Sequence, residues 1–160
     1  MEFVAFDGES VTEAGTHRYV LLCSSLGRSV YNPEELTTGQ CFEFLLEHHK
    51  PGRTFVAFGL NYDVNMMLRD LSPAMLRRLW DTGRCRFLDY RITWIPGKSF
   101  SVGLGKKTVR IYDVFGFFQM SFVKALESWK VERALDHIEN MKAQRSEFSL
   151  DAIEEIKQYC

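Results

Sequence analysis

Two carboxylates stand close together near the start of the chain, in the segment Phe6-Asp7-Gly8-Glu9. Residues 3–6 form a short apolar run, which predicts a buried strand. Because side chains alternate between the two faces of a strand, Asp7 and Glu9 should point the same way. Like charges this close repel each other unless a cation neutralises them, and hard divalent ions such as Mg²⁺ prefer oxygen ligands. We therefore expect a metal site here, with Gly8 leaving room for a ligand. The alternative is an acidic turn after an edge strand.

A third carboxylate, Asp63, follows a second apolar run at residues 54–58. The residues after it, from Val64 to Leu71, carry apolar side chains at helical spacing. Asp63 or Asn61 could therefore be the N-cap of this helix. Asp63 could instead be a ligand at the carboxyl end of a strand, where open α/β sheets place their ligands.

Composition restricts the class of protein. The chain has 160 residues, which fits one domain, with 46% hydrophobic and 26% charged residues and a formal net charge of −1. The near-neutral charge argues against a protein that binds duplex DNA on its own, but not against a metal-dependent nuclease. The four cysteines show no metal-binding spacing, which predicts free thiols in a reducing compartment. No apolar run reaches the roughly 18 residues of a membrane helix, and the first strand leaves no room for a signal peptide. We expect a cytoplasmic protein without a membrane partner.

The remaining elements predict an α/β fold with a mixed sheet flanked by helices. Strands are expected at residues 3–6, 18–24, 29–31 and 54–58, with a loop at 10–17. A helix at 39–49 is expected to follow Thr37 and Thr38, and a short helix at 73–80 is expected to begin with Pro73. The first of these helices should bury Phe42, Leu45, Leu46 and His49.

The second half of the chain adds an antiparallel β meander, with strands at residues 86–95, 99–104 and 108–113 and turns marked by Gly and Lys. A helix is expected at residues 115–127. Its aromatic stripe favours core packing over base stacking, with Val114 and Phe115 as the exception because they directly follow the last strand. A loop with a short helical piece is expected at 130–145, and a final helix after Ser149.

In order and spacing along its whole length, the chain resembles the 3′–5′ exonuclease domain of family B DNA polymerases, in the protein-primed phage, plasmid and virus branch. The first exonuclease motif of that family is Asp-x-Glu on the first strand, here residues 7–9. The second ends in an aromatic residue and Asp at a helix start, here Asn61-Tyr62-Asp63. The third is Tyr-x-x-x-Asp in a helix, here Tyr159-Cys160, and its Asp would lie beyond Cys160. Residues 111–119 resemble the segment between the second and third motifs.

The resemblance implies a ribonuclease-H-like fold and two-metal hydrolysis of phosphodiesters, with Mg²⁺ or Mn²⁺ as the ions. It implies that Asp7 bridges both ions, that Glu9 holds the ion of the attacking water, and that Asp63 holds the other. Tyr159 would hydrogen-bond the water or the phosphate.

The same resemblance implies contacts with the frayed 3′ end of single-stranded DNA. Phe58 and Tyr62 would stack on its bases. Asn61 is a further candidate contact, although the family often places its asparagine where Gly59 stands here. The other candidate DNA contacts are Val114, Phe115 and Lys142.

As a proofreading domain spanning residues 1–160 and incomplete at its carboxyl end, this chain would work with the polymerase domain of its parent chain and with a terminal protein primer. Since the last acidic ligand lies beyond Cys160, we expect these 160 residues alone to be inactive or weakly active. Two alternatives stay open: a stand-alone metal-dependent nuclease, and a non-catalytic module that retains the fold.

Overall fold

The computed structural model describes residues 2–130 together with Ile153 and Lys157. It is an α/β structure with one mixed eight-stranded sheet. The strands are β1 Glu2–Glu13, β2 Thr16–Ser24, β3 Arg28–Tyr31, β4 Arg53–Ala57, β5 Arg84–Phe87, β6 Tyr90–Ile95, β7 Ser99–Leu104 and β8 Lys107–Asp113. The helices in the described part are α1 Thr38–Glu47, α2 Asn61–Met67, α3 Pro73–Thr82, α4 Phe115–Phe118 and α5 Phe122–Ser128. None of these helices has the length and apolarity needed to cross a membrane.

The strand order is β3-β2-β1-β4-β8-β7-β6-β5. Strands β1, β4 and β8 run parallel to one another, whereas β1–β2–β3 and β5–β8 are antiparallel. The predicted meander is confirmed, but its first part is divided into β5 and β6 by a turn at Leu88 and Asp89. The strands that follow β1 in the chain, β2 and β3, lie on one side of the β1–β4 pair, and the strands that follow β4, β5–β8, lie on the other side. The position between β1 and β4 is therefore a topological switch point, where α/β sheets place ligands.

Strand β1 is much longer than the predicted 3–6, and the loop expected at 10–17 is wrong. Its first residues pair with β4 up to Ala5, and the rest pairs with β2 as far as Glu13 opposite Thr16. Ala14 and Gly15 close the hairpin with positive φ angles of 49° and 79°, the backbone that two-residue hairpin turns require. The strand was not predicted here because the sequence of this hairpin is polar.

Helix α1 begins as predicted, because Thr37 and Gln40 form a capping box. The expected burial of His49 is wrong: His49 is exposed, and His48 is buried instead. The Nδ1 of His48 lies 2.8 Å from the carbonyl oxygen of Phe44, and its Nε2 lies 2.9 Å from the Oγ of Ser24. Both nitrogens of the buried His48 ring therefore have a hydrogen-bond partner.

The helix predicted at 115–127 is wrong as a single element. Gln119 adopts a left-handed conformation with φ 53°, and Ser121 caps a second helix by accepting a hydrogen bond from the backbone N–H of Lys124. Core packing of the aromatic stripe is also wrong for two of its rings, because Phe117 is 74% and Phe122 37% exposed. Phe115, the predicted exception, is 47% exposed. The interpretations of residues 131–152 and of the final helix fall outside the described residues, except that Ile153 and Lys157 are helical and Ile153 is buried.

Candidate active site at the switch point

The site lies where β1 and β4 separate. Their pairing ends at Ala5 opposite Val56, whereas β1 continues beyond it along β2. Asp7 stands two residues past that point, and the β4–α2 connection brings in Asp63. Both residues line one small cavity, together with apolar side chains of the core. The sequence thus brings two of its three predicted acidic ligands to the switch point.

Alternation along β1 separates the predicted carboxylates from the core. Val4, Phe6 and Gly8 are buried, whereas Asp7 is exposed and Glu9 half-buried. Asp7 and Glu9 therefore share one face of β1, as the sequence predicted. This face is turned away from the main core, and on it their partners Cys23 and Leu21 of β2 belong to a second, smaller buried cluster.

Asp63 is buried, with 7% of its surface exposed, and it lies in the first turn of α2. Its Oδ1 accepts a hydrogen bond of 2.9 Å from the phenol of Tyr19, a residue of β2 that is itself fully buried. The alternative that Asp63 or Asn61 caps the helix is wrong, because the N-cap is Leu60 and no side chain bonds it there.

Gly8 lies directly under this phenol. A Cβ at Gly8 would stand 1.7 Å from the Oη of Tyr19, far closer than atoms can approach. The interpretation that Gly8 leaves room for a ligand is therefore wrong on this face. Gly8 instead provides the space through which Tyr19 reaches Asp63.

A β-bulge places Tyr19 on the correct face. Glu9 is opposite Leu21, but the next residue, Ser10, is opposite Tyr19, so Val20 is the extra residue of β2. Without this bulge, Tyr19 and Leu22 would alternate to opposite faces, since three positions separate them. With it, both belong to the main core. Bulges often occur beside active sites, where they redirect a side chain.

Electrostatics couple the three acidic residues. Burial is the main cause that raises the pKa of Asp63 well above its ordinary value, and the charges of Asp7 and Glu9 raise it further. The hydrogen bond from Tyr19 opposes this rise. Burial, followed by the charge of Asp63, raises the pKa of the Tyr19 phenol, which thus stays a donor. Beyond Ala5, where β1 no longer pairs with β4, the carboxylates are close enough to repel each other. A bound cation would relieve this repulsion.

The donor set fits a hard divalent ion in its chemistry, because it consists of carboxylate oxygens. Within residues 2–130, however, no three His, Cys, Asp or Glu side chains are grouped closely enough to hold a metal. Asp63 is directed at Tyr19, on the core side of β1, whereas Asp7 and Glu9 are on the other side. A metal site formed by all three therefore stays a prediction.

A fourth carboxylate, Asp113, was missed as a site residue. It ends β8, the strand beside β4, and accepts backbone N–H bonds from Gly59, Leu60 and Phe115 at 3.0–3.1 Å. This carboxylate holds the β4–α2 connection, which leads to Asp63 in the first turn of α2. The position of Asp113 at a strand end was a signal in the sequence that could have identified it. Tyr19 had no such signal, because its contact with Asp63 depends on a bulge.

The predicted DNA contacts lie near this edge of the sheet. Phe58 is half-buried and its ring contacts those of Phe115, Phe118 and Phe122. Val114 joins the two strand ends, because its N–H donates to the carbonyl oxygen of Ala57.

Two further candidates are on α2. Tyr62 is 45% exposed. Asn61 accepts a hydrogen bond from the backbone N–H of Gly97, which ties α2 to the β6–β7 turn. Lys142 and Tyr159 lie outside the described residues.

Comparisons of this chain with protein-family models, with curated proteins and with solved structures give no match.

Proposed function

We propose that this chain is a 3′–5′ exonuclease domain of ribonuclease-H-like fold, which hydrolyses the terminal phosphodiester of single-stranded DNA and proofreads for a family B polymerase. The observation that carries the proposal is that Asp7 and Asp63 both border one cavity at the switch point between β1 and β4, where their charges interact. The mixed sheet with helices packed against it and the motif order along the chain support it. Its partners would be the polymerase domain of the parent chain and a terminal protein primer, in the cytoplasm.

In this proposal, Asp7, Glu9 and Asp63 hold two Mg²⁺ or Mn²⁺ ions. When bound, such ions supply an activated water and stabilise the leaving oxygen of the phosphodiester. Asp7 and Glu9 lie on one face of β1, where Asp7 is exposed and Glu9 half-buried. Tyr19 fixes the position of Asp63 from the core side. The aromatic rings around Phe58 offer surfaces on which terminal bases stack.

The test is a titration with Mn²⁺, followed by the melting temperature. A ligand that binds only the folded state stabilises it by about 2.7 kcal/mol at a hundred times its dissociation constant. We expect Asp7→Asn to abolish this stabilisation. Asp81→Asn, which removes an exposed carboxylate of α3 far from the switch point, should preserve it. Equal stabilisation of both variants would contradict the assignment.

A second assay follows the hydrolysis of a 5′-labelled single strand with Mn²⁺, by these 160 residues and by a longer chain that continues past Cys160. We expect the longer chain to be the faster and Asp7→Ala to abolish its activity. A non-catalytic module is the second candidate function, favoured by the fact that Tyr19 already satisfies Asp63 without a metal. For that module, neither Mn²⁺ stabilisation nor hydrolysis is expected.

A further inference from the structure

The residues of the meander carry a local excess of positive charge. Between Arg84 and Arg110 there are seven lysines and arginines and a single acidic residue, Asp89. Residues 2–68 have the opposite balance, with four basic residues and nine acidic ones. A net charge near zero for the whole chain therefore conceals a basic part and an acidic part.

Four of these arginines share one face of the sheet. Cys85, Ile92, Val102 and Val109 point into the core from β5–β8, so the residues that alternate with them point away from it. The face they form, which we call the arginine face, is defined by Arg84, Arg86, Arg91 and Arg110, all exposed.

Strand register groups these arginines into two rows across the face. Arg86 is opposite Arg91, which is opposite Gly103. In the neighbouring row, the small residues Thr93 and Ser101 lie between Arg84 and Arg110. Small side chains between the arginines leave a shallow surface with cations at its sides.

Arg91 is held in place on this face. A Cβ at Gly103 would stand 2.8 Å from its Nη2, so the guanidinium lies over the glycine, and Nη2 donates a 2.9 Å hydrogen bond to the carbonyl oxygen of Gly105. Within the described part of the chain, none of the four arginines forms an ion pair with a carboxylate. Their charges are therefore directed at whatever lies outside the sheet.

The arginine face continues into the candidate active site. Tyr112 of β8 is 46% exposed and is opposite Val56 of β4, which is opposite Ala5 of β1. Residues paired across a sheet share a face, and Asp7 shares the face of Ala5. One surface thus runs from Arg84 on β5, past Tyr112, to Asp7 on β1. It crosses five strand spacings, about 24 Å.

We propose that the arginine face binds the backbone of a single-stranded nucleic acid whose 3′ end is directed at Asp7 and Glu9. This deepens the proposed function and rests on it for the direction of the strand. Guanidinium groups bind phosphates by charge-assisted bidentate hydrogen bonds. Tyr112, in the path between the arginines and the carboxylates, offers a ring on which a base stacks. A single strand fits because its bases are free to stack, and its phosphates match the arginine rows in charge.

The test is the fluorescence anisotropy of a labelled oligothymidylate of about 15 nucleotides, measured over a series of salt concentrations with EDTA present to prevent hydrolysis. Each phosphate contact on a single strand contributes about −0.7 to the slope of log K against log salt. The double variant Arg84→Gln/Arg110→Gln should therefore reduce the slope by about 1.4. Tyr112→Ala should weaken binding about tenfold with an unchanged slope, because it removes stacking and no charge.

The matched control is Arg77→Gln/Arg78→Gln, which removes the same charge from α3. This helix packs on the core side of the sheet through Leu79. We expect its salt slope to equal that of the wild-type chain. An equal reduction in both double variants would overturn the proposal, because net charge alone would then explain the binding. Tighter binding of a blunt duplex by the same arginines would overturn the assignment to a single strand.

This outcome is separable from that of the proposed function. Asp7→Ala should abolish hydrolysis, whereas Asp81→Asn, the control on α3, should leave both hydrolysis and the EDTA anisotropy unchanged. If the arginine variants lose affinity while no form of the chain hydrolyses DNA, the exonuclease proposal fails and the binding face stands. If hydrolysis depends on Asp7 while the arginine variants bind as the wild type does, the binding face fails and the exonuclease proposal stands.

Discussion

The buried carboxyl group of Asp63 should destabilise the metal-free protein as the pH rises. Burial and the charges of Asp7 and Glu9 raise its folded pKa well above the ordinary value near 3.8. Between these two values the folded state binds one proton that the unfolded state has already released. The free energy of unfolding therefore falls by about 1.4 kcal/mol for each pH unit in this range.

The substitution Asp63→Asn should remove this loss. The amide oxygen of asparagine can still accept the hydrogen bond from Tyr19, and the side chain carries no charge at any pH. We expect the variant to be more stable than the wild type at pH 8 in EDTA. At pH 5 the difference should be smaller. For a domain of this size, the melting temperatures should diverge by about 3–5 °C per pH unit.

The assay is thermal unfolding by circular dichroism from pH 4 to pH 9 with EDTA present. Asp113→Asn is the matched control, because it makes the same chemical change at the neighbouring strand end. Both oxygens of Asp113 accept backbone N–H bonds, so an amide NH₂ would face a donor there. This variant should lose about 1–3 kcal/mol. If the curves of Asp63→Asn and the wild type run parallel over the whole range, the assignment of a strongly raised pKa is refuted.

Three further predictions concern the supports of the site and the core. Gly8→Ala should cost about 3 kcal/mol or more in chemical denaturation, because its methyl group would overlap the Tyr19 phenol; a loss below the error of the measurement would contradict this packing. Tyr19→Phe should cost about 1–3 kcal/mol at pH 8 and less at pH 5, because it leaves the charged form of Asp63 without its donor; equal losses at both pH values would count against it. Burial lowers the pKa of His48, so the unfolded state binds more protons below about pH 6.5 and the protein loses stability on acidification. His48→Gln should remove that loss from the melting curves between pH 7.5 and 5.5, and an unchanged loss would exclude His48 as its cause.

Elements with strong local signals could be predicted from the sequence. Thr37 and Gln40 form the capping box that begins α1, and Pro73 stands at the start of α3. The turns of the meander contain glycines with positive φ at Gly97 and Gly105. Each of these signals acts within a few residues, so no knowledge of the fold was needed.

Errors arose where tertiary contacts override the local pattern. The polar second half of β1 is a strand because it pairs with β2, and this pairing is invisible in a single segment. Helix α1 buries His48 rather than His49 because Ser24, on another element, provides a partner. The break after Phe118 depends on a left-handed Gln119, a conformation that glutamine seldom adopts.

The segment Asp7-Gly8-Glu9 shows how the two faces of one strand can serve one site. The acidic residues at positions 7 and 9 face away from the core, towards the surface that leads to Arg110. Gly8, between them, faces the core and admits the phenol that binds Asp63. A larger residue at position 8 would leave Asp7 and Glu9 in place. It would still displace Tyr19, and with it the carboxylate of Asp63. The arrangement of the three carboxylates therefore depends on Gly8 as well as on the acidic residues themselves. Gly8→Ala should consequently weaken Mn²⁺ binding as well as stability, whereas Asp81→Asn, remote from both faces, should affect neither.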